Sequence, residues 1–112
     1  MSNYSLKSPE TSQEWEDYLL FRWEILRKPL GMSQKSLADS IEEESFHVMG
    51  INNQNEVIAS GRIHFNTDSE AQIRYMAVKD CFKRMGIGSE IVSLLEDHAL
   101  SQGAETVVLN AR

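Results

Sequence analysis

Lys83-Arg84-Met85-Gly86-Ile87-Gly88 sets two cations and two glycines directly ahead of a stretch with helical apolar spacing. Glycine is a poor helix former, so its use at a helix start asks for a reason. The first turn of a helix leaves backbone N–H groups without acceptors and carries a partial positive charge. A phosphate satisfies both, and glycine lets the main chain approach it closely and adopt positive φ. Lys83 and Arg84, with Lys79 upstream, add attraction. These residues read as an anion cradle; on the glycines alone, a helix start with a solvated basic turn serves equally well. G-x-x-x-x-G-K-[ST] is absent and G-x-G-x-x-G is incomplete, which excludes a P-loop and a dinucleotide fingerprint.

Other reactive side chains carry less. Cys81 is the single cysteine, so an internal disulfide is excluded and a reducing, cytoplasmic setting fits. A nucleophilic thiol needs a base or a strongly electropositive setting. Lys79 and Lys83 offer some charge and no histidine is evident nearby, so Cys81 reads as non-catalytic. His47, His64 and His98 lack metal-ligand spacing, and no metal site is expected. Arg22, Arg27 and Lys28 gather near the end of a helix. They either favour its negative dipole end or recognise something acidic.

Composition sets the background. The 112 residues hold 17 acidic and 11 basic side chains, for a net charge of −6. That balance argues against non-specific nucleic-acid binding, which needs a basic surface, but allows a small anionic ligand at a local basic patch. No apolar run approaches the ~20 residues that span a bilayer, and the start lacks the form of a signal peptide. At 41% hydrophobic residues the chain has the content of one ordinary globular domain over residues 1–112.

The elements that must position the cradle follow from periodicity. Asn3 to Lys7 suits a short edge strand. Thr11-Ser12-Gln13-Glu14 has the form of a capping box, predicting a helix to about Arg27 with Trp15, Leu19, Trp23 and Leu26 as its apolar stripe. Ser33 to Glu44 suggests a shorter helix. Phe46–Asn52 and Val57–Phe65 read as a hairpin closed at residues 53–56, which sets His47 opposite Arg62. Ala71 to Val78 is a further strand. Strict alternation there would turn Ile73, Tyr75 and Ala77 one way and Arg74, Met76 and Val78 the other. From Ile87 the period is helical, with Ile91, Leu94, Leu95 and His98 on one face. Gly103 closes that helix and Thr106–Leu109 returns as a strand, parallel to its predecessor because a helix crosses between them. The order is β-α-α-β-β-β-α-β, an α/β (α+β) class with a mixed, mainly antiparallel sheet.

"IRYMAV" (Ile73–Val78), the loop, "KRMGIG" and the amphipathic helix resemble the coenzyme-binding core of GNAT-type N-acetyltransferases. That family's signature is [QR]-x-x-G-x-[GA] at the start of the helix after the fourth strand. Gly86 and Gly88 match it, and Lys83 stands in the Gln/Arg place. "FRWEILRKPLG" (Phe21–Gly31) with "IRYMAV" is further similar to the N-terminal acetyltransferase-like domain of bacterial proteins that fuse it to a thioesterase-like domain.

The resemblance implies acetyl-CoA as co-substrate and a small-molecule or protein amine as acceptor, with no metal. It implies that the main chain of Met76, Ala77 and Val78 pairs with the pantetheine arm. It further implies that Lys83, Arg84, Met85, Gly86, Ile87, Gly88 and Ser89 hold the diphosphate, and that Asn110 touches the coenzyme or lines the cleft. Members of the family continue past the fifth strand, where a tyrosine often serves as general acid. This sequence ends at Arg112, so a truncated domain is expected, either paired as a homodimer or part of a longer chain. Acyl transfer to an amine needs a base and polarisation of a carbonyl. Glu70 and Glu24 are candidate bases, each also readable as a solvated acid; Tyr75 is a candidate proton donor, or a packing residue. The activity expected is N-acetyl transfer. The alternatives are a non-catalytic acyl-CoA-binding or dimerisation module and an accessory domain in thioesterase-type fatty-acid metabolism.

Overall fold

Thr11 begins the first helix as its sequence predicts. The Thr11 hydroxyl accepts from the Glu14 amide at 3.0 Å, and the Glu14 carboxylate accepts from the amides of Thr11 and Glu10 at 3.1 and 2.9 Å. This reciprocal cap satisfies donors that a helix start would otherwise leave open. The structure is a computed structural model that describes residues 4–26, 31, 45–82 and 86–109. The helix expected over Ser33–Glu44 lies outside the described residues, as do Arg27, Lys28, Lys83, Arg84, Met85 and Asn110.

Five strands form one sheet in chain order: β1 (Tyr4–Lys7), β2 (Phe46–Asn52), β3 (Val57–Phe65), β4 (Glu70–Val78) and β5 (Thr106–Leu109). β1 to β4 are antiparallel neighbours, and β5 runs parallel to β4. Helix α1 (Ser12–Leu26) follows β1, and α2 (Ile87–Ser101) lies between β4 and β5 in the chain. A short 3-10 turn, Asp80–Phe82, leads toward α2. The hairpin closes as expected, with His47 opposite Arg62.

The two sheet faces are unlike each other. α2 lays Ile87, Ile91, Leu95 and Ala99, all essentially sealed from solvent, on Val48, Ala59, Ile63, Ala71 and Ile73. Burial of each large aliphatic side chain contributes about 1.5–3 kcal/mol. Gly61 allows the close approach: a Cβ there would stand 2.6 Å from Ile91 Cγ2 and 2.8 Å from Met76 Sδ. Leu94 is exposed instead of buried, and His98 stacks on Phe46 with ring centroids 3.9 Å apart. The other face is polar. It carries His47, Ser60, Arg62 and His64, all buried, and α1 covers it with Tyr18, Phe21 and Arg22.

That polarity overturns the stripe expected for α1. Leu19 is exposed, Trp15, Trp23 and Leu26 are only half-buried, and Arg22 is sealed. A sheet face made of histidine, serine and arginine is matched by side chains with polar ends. Tyr18 shows how: its hydroxyl donates to the Gly61 carbonyl at 3.2 Å and lies 2.9 Å from His47 Nδ1.

Strand β4 departs from alternation. Arg62 faces Arg74 and Ser60 faces Ala77, so Tyr75 and Met76 together oppose Gly61. This is a β-bulge, with Tyr75 at φ +58°. Met76 and Val78 therefore pack on the α2 side with Ile73, and Tyr75 turns to the α1 side.

Candidate functional site

The bulge lies just beyond the last described pair of the β4–β5 ladder. The parallel ladder described for β4 and β5 runs from Glu70–Thr106 to Ile73–Leu109. Beyond it, residues 74–78 of β4 pair with β3 alone among the described residues. Met76, Ala77 and Val78 belong to that segment and line a cleft.

A cleft of about 490 Å³ opens at this point. Ile25 and Leu26 of α1, Met76, Ala77 and Val78 of β4, Phe82, and Gly86, Ile87, Gly88 and Ser89 at the start of α2 line it. The strand edge and the helix start predicted to act together are thus brought to one cavity, at the carboxyl end of β4. Sequence reasoning missed Ile25, Leu26 and Phe82, because apolar residues near element ends carry no signal that separates lining from core.

The two glycines differ. Gly86 is the N-cap of α2 at φ +84°, and among the described residues no side chain caps the helix. Its carbonyl accepts the Glu90 amide at 3.0 Å, so the helix ladder begins there. The amides of Ile87, Gly88 and Ser89 come before any intrahelical acceptor and belong to the cleft wall. Gly88 has no positive φ, and a Cβ there would meet Val78 Cγ2 at 3.8 Å, an ordinary contact. Gly86 answers a backbone requirement; Gly88 answers none.

Tyr75 is held from several directions. Its carbonyl accepts from Ser60 Oγ at 2.8 Å. The guanidinium carbons of Arg22, Arg62 and Arg74 stand 4.1, 4.7 and 5.0 Å from its ring centroid. Cation–π attraction of this kind contributes about 0.5–2 kcal/mol per well-placed pair. It offsets part of the strain of a left-handed aromatic residue. The packing expected for Tyr75 is present, though its neighbours are cationic rather than apolar. One signal could have pointed here: Gly61-Arg62 within an apolar strand, since an interior glycine marks a bulge or close approach.

The other candidates are dispersed. Glu70 begins β4, six residues before Met76, which at ~3.3 Å per residue is roughly 20 Å along the strand. There it accepts from Asn66 Nδ2 at 3.1 Å. Asn66 also accepts from His64 Nε2 at 3.1 Å, while Arg62 Nη2 donates to His64 Nδ1 at 3.3 Å. Arginine has no acceptor, so His64 Nδ1 must accept and Nε2 must carry the proton. The chain of contacts explains Glu70 as an anchor of the β3–β4 turn and keeps it out of the cleft. Glu24 is exposed on α1, next to Ile25. Cys81 is an exposed free thiol. No cluster of three metal-ligating side chains occurs among the described residues, and none of their helices is long and apolar enough to cross a membrane.

Comparison with known proteins bears on the whole arrangement. Residues 3–112 match the sequence profile of the acetyltransferase (GNAT) family. Among solved structures, a GNAT-family acetyltransferase from Staphylococcus aureus superposes with a TM-score of 0.78 at 14% identity, covering 96% of this chain and 73% of that one. Escherichia coli ElaA gives 0.77 at 15% identity, over 100% and 79%. Glucosamine-6-phosphate N-acetyltransferase from Arabidopsis thaliana gives 0.73 at 14% identity, over 99% and 84%. At these identities the superpositions speak to the fold.

Proposed function

The chain belongs to the acetyltransferase (GNAT) family, and from that premise we propose that it transfers an acetyl group from acetyl-CoA to an amine. One observation carries the reading. A single cleft joins a helix start with no side-chain cap among the described residues to the last residues of β4, Met76, Ala77 and Val78. These are backbone donors and acceptors in the two forms that a diphosphate and an amide-bearing linker require.

The residues fit the coenzyme. The amides of Ile87, Gly88 and Ser89 supply donors for the diphosphate, and Gly86 and Gly88 keep the wall free of side chains. Lys83, Arg84 and Met85 complete the signature in sequence. Met76, Ala77 and Val78 offer main-chain groups to the pantetheine arm, and Asn110 follows β5 in sequence. Ile25, Leu26 and Phe82 give the arm apolar walls. Bound acetyl-CoA supplies an activated acyl thioester. The protein's part is to hold that thioester beside the β4 bulge and admit an amine to it, which converts an encounter of two molecules into a positioned reaction.

Calorimetry with acetyl-CoA, with a free-thiol release assay on a panel of amines, tests the proposal. Gly88→Ala should bind nearly as wild type, since its Cβ has room and the family signature admits alanine there. Gly88→Leu should lose roughly tenfold or more in affinity, because its branched side chain projects into the cleft. Equal affinities for all three proteins, or no heat with wild type, would count against the cradle.

A further inference from the structure

We infer that Ser60, which does not line the cleft, is a positioning residue that aims the Met76 N–H at the coenzyme arm; this rests on the acyl-transfer reading above. Ser60 lies in β3 and is fully buried. A sealed hydroxyl costs free energy unless it is hydrogen-bonded. Its Oγ donates to the Tyr75 carbonyl at 2.8 Å. The bond crosses between strands at the bulge, where Tyr75 and Met76 together oppose Gly61 and regular pairing resumes at Ser60–Ala77. The surplus residue of a bulge is left out of the ladder, so its peptide plane needs a further restraint. At Tyr75 the need is greater, because φ +58° is an unfavourable conformation that the surroundings must hold. Ser60 supplies one such restraint from inside the sheet.

Peptide geometry carries the effect to the cleft. The Tyr75 carbonyl and the Met76 N–H belong to one peptide unit, and no cis bond occurs among the described residues. In a planar trans unit the two groups point in opposite directions. The carbonyl turns toward β3 and toward the polar face on which the Ser60 side chain stands. The Met76 N–H therefore turns away from β3 and toward the α2 side. Met76 lines the cleft there, together with the start of α2. The arm of the coenzyme is a run of amides ending in a thioester, so it presents carbonyl oxygens. A hydrogen bond to one of them weakens steeply as the donor tilts off line. Ser60 thus acts on the ligand through the plane it holds and without touching it.

Ligand-induced shifts of single backbone amides test this. In wild type titrated with acetyl-CoA, the Met76 amide proton should move downfield, as an N–H does on gaining an acceptor. That of Met49, buried in β2, should stay. Ser60→Ala should lose the Met76 response and keep those of Gly88 and Ser89 at the start of α2. Its affinity for acetyl-CoA should fall roughly 3- to 10-fold, the range of one net hydrogen bond. Ser60→Cys, whose thiol donates weakly, should give an intermediate Met76 response, and it carries the comparison if alanine unfolds the chain. A merely structural loss would lower all three responses in parallel. A silent Met76 amide in wild type, or a Met76 response that survives in Ser60→Ala or falls in step with Gly88 and Ser89, would overturn the inference while leaving acyl transfer intact. Failure of wild type to bind acetyl-CoA in calorimetry would instead sink the functional reading.

Discussion

At the scale of single residues, the same amino acid does different work two positions apart. Gly86 sits at φ +84° with open space around the position of a Cβ, so any side chain there is strained, not crowded. Gly86→Ala should therefore cost about 1–2 kcal/mol of stability, the usual left-handed penalty, readable in a denaturant titration. Its effect on coenzyme affinity should follow from the misdirected helix start rather than from steric block. Both glycines stood out in the sequence as a place for a cradle. Which of them takes positive φ did not, because a G-x-G pattern is the same whichever position needs it. Arg62 and Arg22 were harder still. A charge in an apolar strand and a charge near a helix end both read as surface, whereas here they lie sealed around Tyr75.

At the scale of elements, strand existence and pairing followed closely from pattern, since β-branched runs bounded by polar turns leave little choice. The hairpin register and the parallel β4–β5 pair came out as expected. Helix rotation did not for α1, because apolar periodicity finds a buried face only when the surface opposite is apolar. α2 packs on an aliphatic face and its stripe held, apart from Leu94; α1 packs on a polar face and its stripe failed. The α2–sheet contact has a narrow point. Gly61→Ala should destabilise by roughly 1–3 kcal/mol, as overpacking does, because the new methyl meets Ile91, Met76 and Leu95 together. Met76 also lines the cleft, so acetyl-CoA affinity should fall alongside the melting temperature. Loss of stability with affinity unchanged would separate the packing from the site.

For the whole molecule, pH acts through the link between β1 and the start of α1. Lys7 Nζ lies 2.7 Å from Glu14 Oε2 and 3.3 Å from Glu10 Oε1. The Lys7 hydrogen bond, then the amides of Glu10 and Thr11, pull the Glu14 carboxyl from its ordinary 4.5 to about 2. A depressed acid stabilises the fold above its unfolded value and loses that contribution as pH falls from about 4.5 toward about 2. Lys7 moves the other way: its bond to Glu14 raises it above 10.5, so its contribution is full below that value and fades as pH climbs through the folded one. Thermal melts between pH 5 and pH 2 should fall less steeply for Glu14→Gln than for wild type; parallel curves would remove the link from the account. Charge in this chain thus ties the sheet's outer edge to the start of α1.

The bulge, finally, is an insertion of one residue. Excise Tyr75 on paper and every other register holds: Met76 falls opposite Gly61, Ala77 stays with Ser60, Val78 stays with Ala59, and each keeps its face. The shortened strand would pair with β3 without a break. The inversion of Tyr75 toward α1 is therefore the product of one residue that no single partner on β3 opposes.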